Sequence, residues 1–265
     1  MIATYDQNEI ASHQPQGMML HCGGELVSRR EVNALAAPAA TETWHPLAYG
    51  EILNRVEDQL LGSGFRITET PAHALSHNGN RYFGVYNVGL RSASDEEKDD
   101  YSWVLGVRQS YDKTFPVTMV AGSRVFVCDN LAFSGEIKFT RKNTKNVKDS
   151  VRSLIARSIG QLHDKFADLD TRIEAYKNTD LTDDQAAGLI IRSVETKALP
   201  GSKIMEVADE WKSPSHEDFE PRTAWSLFNA FTEVYKSVKD PATLSRRSEA
   251  LHGVIDGHCG VALAN

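Results

Sequence analysis

Near residue 146 the spacing of apolar residues changes from two to between three and four. This change constrains the fold more than any other feature of the chain. Ahead of it, short segments alternate, as where Trp103, Leu105 and Val107 alternate with Gly106, Arg108 and Ser110. Behind it, apolar residues recur at helical steps. We therefore expect a β-rich first half and a helical second half, which is the α+β class.

The helical half is predicted to begin with one long amphipathic helix. Its apolar residues recur at three- and four-residue steps and form a single seam: Val151, Ile155, Ile159, Leu162, Phe166, Leu169, Ile173 and Tyr176. Further helices are expected within residues 182–197, 202–211 and 221–238, and a last helix after Asp240 and Pro241. Thr182 and Gln185 have the spacing of a capping box.

The first half is predicted to contain one helix and several strands. The helix follows Pro46 and stops at Gly62 and Gly64. The Asn78-Gly79 pair between two β-like runs predicts a hairpin. Strands separated by turns favour an antiparallel meander. We expect a weakly ordered segment over residues 1–40, a helix plus antiparallel sheet over 41–145, and a helical region over 146–265 packed on the sheet, in one continuous domain.

The sequence also excludes some classes of protein. Its first residues lack the basic start and apolar run of a secretion signal. No stretch approaches the roughly 18 apolar residues that a membrane helix needs. Its three cysteines are a poor disulfide framework and fit a reducing compartment. We therefore expect a soluble, cytoplasmic protein without a membrane partner.

Positive charge is concentrated where the two halves meet. Within residues 138–157, which we call the basic junction, a single acid, Asp149, accompanies seven cations: Lys138, Arg141, Lys142, Lys145, Lys148, Arg152 and Arg157. The junction therefore carries a charge of +6. The whole chain carries −7, so the remainder carries −13. Such segregation says more about partners than the net charge does.

These cations lie at the start of the predicted long helix. That placement destabilises the helix unless an anion binds there. The macrodipole makes a helix N-terminus partly positive, so each lysine there costs about 0.3–1 kcal/mol at low salt. A phosphate would reverse that effect, because backbone N–H groups, the dipole and the cations would converge on it. Asn143, Thr144 and Asn146 add capping or hydrogen-bonding groups. An alternative also stays open: the cations form a solvated face, or they pair with acids such as those of residues 95–100.

Four arginines fall in different predicted strands: Arg66, Arg81, Arg108 and Arg124. The tyrosines near them are Tyr82, Tyr86 and Tyr111. On one common face, arginines and aromatic rings would bind a single strand of nucleic acid through charge and base stacking. Because strand register is not readable from this sequence, we favour outward-facing arginines without a shared role.

No local motif names a reaction. The chain lacks G-x-G-x-x-G, G-x-x-x-x-G-K-[ST] and G-x-S-x-G. His21-Cys22, Cys128 and His258-Cys259 lack the short spacings of zinc sites. Cys128 is expected to be a buried structural thiol. We assign no catalytic residue, cofactor or metal ligand, although an enzyme without a local signature stays open.

Three blocks of sequence resemble a known family. They are RVFVCDNLAFSGE, then FTRKNT ahead of the long helix, then TAWSLFNAFTEVYK. Together they resemble domain-of-unknown-function family 932, often labelled phage/plasmid-like protein, over about residues 20–251. The resemblance departs at Asn143, where the family pattern has a histidine before the threonine. It implies a phage or plasmid setting in a bacterial host, and no established activity. The order of elements also resembles phage single-strand annealing proteins, which implies a homo-oligomer.

We therefore expect a non-enzymatic nucleic-acid-binding protein, acting on single-stranded DNA in recombination or replication. Its candidate binding residues are Lys138, Arg141, Lys142, Lys145, Lys148, Arg152, Arg108 and Arg124. The alternative is a protein-binding effector, such as an inhibitor of a host defence system, whose acidic remainder docks a basic host protein. An enzyme acting on nucleotides or nucleic acid is the third hypothesis.

Overall fold

The computed structural model describes residues 24–92, 101–125, 130–135 and 147–261. It confirms the α+β class, with an antiparallel sheet in the first half and helices mostly in the second. Within those ranges no helix is both long and apolar enough to cross a membrane.

The sheet has seven strands among the described residues: β1 (Glu25–Val27), β2 (Phe65–Ile67), β3 (Ala72–Ser76), β4 (Arg81–Leu90), β5 (Tyr101–Ser110), β6 (Thr118–Val125) and β7 (Asn130–Gly135). Their order is β1-β3-β4-β5-β6-β7, and β2 pairs with the second half of β4. Every pairing is antiparallel. The hairpin predicted at Asn78-Gly79 is confirmed, because it joins β3 to β4. His77, Asn78 and Gly79 there all have positive φ angles.

The described helices are α1 (Arg29–Ala34), α2 (Tyr49–Gly62), α3 (Val147–Gly160), α4 (Leu162–Lys177), α5 (Asp183–Glu195), α6 (Ile204–Lys212), α7 (Ala224–Tyr235) and α8 (Pro241–Cys259). Several helix ends follow ordinary capping rules. Thr182 and Gln185 form the predicted capping box of α5. Asp240 caps α8, and Gly260 ends it in the left-handed conformation.

Part of the segment expected to be weakly ordered has regular structure. Residues 25–27 form β1, which pairs with β3, and α1 follows directly. Ser28 and Glu31 form a capping box at its start. Arg29 then ties α1 to α2 by an ion pair of 2.8 Å with Glu57. Capping and pairing order this segment, and neither gives a long apolar period in the sequence.

The predicted long helix is divided into α3 and α4. The division falls at Gly160 and Gln161, where the Gln161 N–H donates to the carbonyl three residues back, on Ser158. The chain then continues helically, since the Lys165 N–H donates to Gln161. The seam predicted from the apolar spacing is confirmed, because all eight of its residues are at most 1% exposed.

One face of the sheet receives α2 and α4. Tyr49 of α2 stacks on Tyr111 with ring centroids 3.9 Å apart. Trp103 of β5 stacks on Phe166 of α4 at 4.7 Å. The helical half is therefore anchored to the sheet by aromatic stacking. The opposite face is the one that carries the strand arginines.

Candidate nucleic-acid interface

Strand register places all four strand arginines on one face of the sheet, which we call the arginine face. Residues paired directly across antiparallel strands share a face, and the faces alternate along each strand. The pairs that fix this arrangement are Arg66–Gly89, Arg81–Ser110, Arg108–Phe83 and Arg124–Ser102. The arginines thus meet the first condition for a shared surface, which the sequence could not show.

The tyrosines lie on the other face, which we call the tyrosine face. Tyr82 and Tyr86 alternate with Arg81 along β4, so they point away from it. Both are at most 1% exposed, and Tyr111 is buried under Tyr49. Burial raises the pKa of all three hydroxyls. These rings belong to the core, so the platform of arginines and these tyrosines does not form.

Two of the four arginines are neutralised inside the protein. Arg124 donates to Glu69 at 2.9 Å, and the same carboxylate accepts from Asn87 at 3.0 Å. Arg81 donates to Asp112 at 2.6 Å. Partial burial tends to raise the pKa of Asp112, but hydrogen bonds from Thr114 and Arg81 lower it to about 2. Asp112 therefore stays ionised, and Arg81 and Arg124 contribute little free positive charge.

The face opens at one end into a cleft of about 250 Å³, which we call the hairpin cleft. The β3–β4 hairpin and the end of β5 form one side of it, and the turn before α8 forms the other. Its apolar and aromatic lining includes Ala74, Leu75, Tyr82, Phe83 and Phe115. Its charged lining consists of Arg81, Arg108, Lys239 and Asp240. Apolar walls with a few charged groups are typical of a ligand site.

The charges in the hairpin cleft are held in different ways. The Arg108 guanidinium lies 5.6 Å from the centroid of the Phe115 ring, within cation–π range. Asp240 accepts from backbone N–H groups at the start of α8. Burial tends to raise its pKa, but the hydrogen bonds from Thr243 and Ala242 and the charge of Arg108 lower it. Lys239 is exposed and forms no ion pair with any residue of the described ranges.

A second cleft, of about 350 Å³, adjoins the first and is called here the adjoining cleft. Lys239 and Asp240 line both, so they form the ridge between them. Arg247 of α8 and Lys203 line the far side of the adjoining cleft. Lys203 is engaged by Glu206 at 2.6 Å. The two clefts therefore adjoin at Lys239 and Asp240, and cations line each of them.

The basic junction is described only in part. Lys138, Arg141, Lys142 and Lys145 lie outside the described residues. Lys148 lies in the first turn of α3, and its side chain is also outside the description. Arg152 is exposed on α3, beside the buried Val151 of the seam. Among the described residues it has no ion-pair partner. Val147 starts α3, so Lys138, Arg141, Lys142 and Lys145 precede this helix in the sequence, whereas Lys148, Arg152 and Arg157 lie within it.

The register also relates the end of β7 to the hairpin cleft. Gly135 at the end of β7 pairs with Ala121, and Thr118 pairs with Arg108. Gly135 lies three residues along a strand and two strand spacings away from Arg108. Their backbones are therefore about 14 Å apart. β7 therefore runs toward the end of the sheet that carries the cleft, and the basic junction follows it in the chain.

A second cluster of titratable side chains is buried between α4 and α8. Tyr176 lies 3.1 Å from His252, and Arg172 donates two hydrogen bonds to Asp256 at 3.0 and 3.2 Å. Burial lowers the pKa of His252 well below its ordinary value. These contacts tie two core helices together, so we assign the cluster to stability.

Sequence reasoning missed the aromatic and cationic lining of the cleft. Phe83 was detectable, since it shares strand parity with Arg81, whereas Tyr82 and Tyr86 do not. Phe115 and Lys239 carried no signal, because tertiary packing brings their loops together from distant parts of the chain. Among the described residues, no group of three or more His, Cys, Asp or Glu side chains is arranged to hold a metal ion. Cys259 is a free, half-buried thiol, and Cys22 and Cys128 lie outside the described residues.

A family model described as a domain of unknown function (DUF932) matches residues 39–253. The match covers the helix α2, strands β2 to β7 and most of the helical half. No curated protein and no solved structure matches the chain.

Proposed function

The chain belongs to the DUF932 family, a domain of unknown function, and from that premise we propose that it binds single-stranded nucleic acid through the basic junction. The observation that carries the proposal is the segregation of charge: +6 over residues 138–157 against −13 elsewhere. An acidic protein of this kind repels nucleic acid over most of its surface. Binding is therefore directed to one place.

The start of α3 supports the same interpretation. The helix α3 begins at Val147, so the positive end of its macrodipole lies there, directly after Lys138, Arg141, Lys142 and Lys145 in the sequence. Phosphate oxygens are the anions that such an arrangement binds. Arg152 adds an exposed guanidinium one turn further along α3. Phosphate contacts of this type give affinity without sequence preference.

Single strands fit the hairpin cleft better than a duplex. The cleft can take one unstacked residue, and a duplex offers no unstacked base. We further propose that the protein works non-enzymatically in the cytoplasm of a bacterial host, on phage or plasmid DNA during recombination or replication. As in annealing proteins, it would assemble with copies of itself along the strand.

Charge reversal in the junction tests the proposal. The variant replaces Lys138, Arg141, Lys142 and Lys145 by Glu. Fluorescence anisotropy with a labelled single-stranded DNA should show an affinity loss on the order of 100-fold or more at 50 mM salt. The salt slope of log affinity should also become shallower by about 3.

The matched control carries the same change of charge at distant exposed cations: Arg30, Arg192, Lys197 and Lys212, each replaced by Glu. It should lose far less affinity and keep its salt slope. A second pair compares Arg152→Glu with Arg192→Glu, since both are exposed helical arginines. Equal losses in the junction variant and its control would contradict the proposal.

A further inference from the structure

We propose that the hairpin cleft holds one nucleotide of the bound strand, with its base against the aromatic wall and its phosphate at Lys239. This inference rests on the proposed function and adds a second contact to it. Phe83, which is 6% exposed, and the half-buried Phe115 line the cleft. Arg108 pairs with Phe83 across the strands, and its guanidinium lies 5.6 Å from the centroid of the Phe115 ring. A planar heterocycle can stack on such aromatic and guanidinium surfaces.

The size of the cleft limits what it can take. Clefts for drug-sized ligands measure about 300–1,000 Å³. The hairpin cleft, at about 250 Å³, suits one ring system with part of its sugar, and not an extended ligand. A single base that has left its stack is a ligand of this size. A strand in duplex form has no such base to offer without unpairing.

The charges fit an anion attached to that ring. Three cations and one acid line the cleft: Arg81, Arg108, Lys239 and Asp240. Arg81 is engaged by Asp112, and the charge of Arg108 helps to lower the pKa of Asp240. Lys239 stands at the rim, exposed and without an ion pair among the described residues. A phosphate attached to a ring in the cleft would therefore be held first by Lys239.

The surroundings allow the strand to continue in both directions. On one side the adjoining cleft carries Arg247, which offers a place for the next phosphate. The end of β7, at Gly135, lies about 14 Å from Arg108 by the strand register, and the basic junction follows it in the sequence. The junction would hold the backbone without regard to sequence, and the cleft would hold one base.

The test uses a single-stranded DNA that contains 2-aminopurine, whose fluorescence reports the stacking state of that base. Wild-type protein should change this fluorescence on binding. Lys239→Glu and Phe115→Leu should each abolish or strongly reduce the change, and lower affinity by roughly 10-fold. Lys239 is exposed and Phe115 is half-buried in a loop, so both variants should fold. Lys212→Glu is the charge control, since Lys212 is an exposed lysine that lines neither cleft.

The outcomes separate this inference from the proposed function. If the strand binds but neither cleft variant alters fluorescence or affinity, the cleft inference is wrong and the junction proposal stands. If the wild-type protein binds no strand, the junction proposal is wrong. Ligand-observed NMR with free dAMP then tests the cleft inference by itself. Saturation should transfer from the wild-type protein to dAMP, and Lys239→Glu should remove this transfer. Absence of that transfer overturns the inference in either case.

Discussion

The two faces of the sheet use their polar side chains differently at the end that carries the hairpin cleft. On the tyrosine face every hydroxyl named above has an internal partner: Tyr82 meets His73 at 2.8 Å, and Tyr86 donates to Glu57 at 2.9 Å. On the arginine face, Arg124 is closed off by Glu69, whereas Arg108 and Lys239 line a cleft. The type of a polar residue therefore does not by itself determine its role. The neighbours brought by the fold decide whether a polar group stabilises or binds.

The largest change in the free energy of unfolding is expected when the pH is lowered, and it should come from His73 on the tyrosine face. Burial and then the charge of Arg29 lower the pKa of His73 to about 4, from 6.5. The unfolded chain therefore takes up a proton as pH falls below 6.5, and the folded protein does not. Stability should be unaffected above that pH and should fall by about 3 kcal/mol between pH 6.5 and 4 through this group. Denaturant unfolding at several pH values measures the slope.

Two variants sharpen that measurement. His73→Gln removes the titrating group, so it should flatten the loss by about 1.4 kcal/mol per pH unit, even if its stability at pH 7 is lower. His77→Gln, at an exposed turn position on the same hairpin, should leave the slope unchanged. Some slope should remain in His73→Gln, because burial also lowers the pKa of His252. An unchanged slope would mean that His73 is protonated in the folded protein.

The end of the arginine face where Glu69 neutralises Arg124 should show a smaller effect on the free energy of unfolding. Glu69→Ala removes the carboxylate that accepts from Arg124 and Asn87. Because Glu69 is about half exposed, the expected loss is about 1 kcal/mol of unfolding free energy. Glu42→Ala, at an exposed site, should change stability by less than about 0.5 kcal/mol. Affinity for single-stranded DNA should not fall in either variant. A large loss of affinity in Glu69→Ala would show that this end also binds.

Much of the fold was accessible from the sequence because it depends on periodicity. The seam from Val151 to Tyr176 and the hairpin at Asn78-Gly79 follow from local spacing and turn chemistry. The break at Gly160 was missed, since the apolar steps continue across it without interruption. The helix α1 was missed because six residues carry too little periodicity to reveal a helix.

The candidate site was less accessible, because it depends on which distant residues meet. The excess of cations in the junction is a property of composition and could be read directly. The common face of the arginines required the pairing of β2, β4, β5 and β6, and a shift of one residue would have reversed it. The cleft required the turn at Lys239 to meet the end of β5, a contact between residues about 130 positions apart that no local pattern encodes.

The central claim is that the basic junction neutralises the phosphates of a single strand, and its salt dependence tests that claim most directly. Affinity of the wild-type protein for single-stranded DNA should be measured between 50 and 200 mM salt. If about five phosphates are neutralised, log affinity should fall against log salt with a slope near −3.5. A slope near zero, or no binding at the lowest salt, would contradict the account.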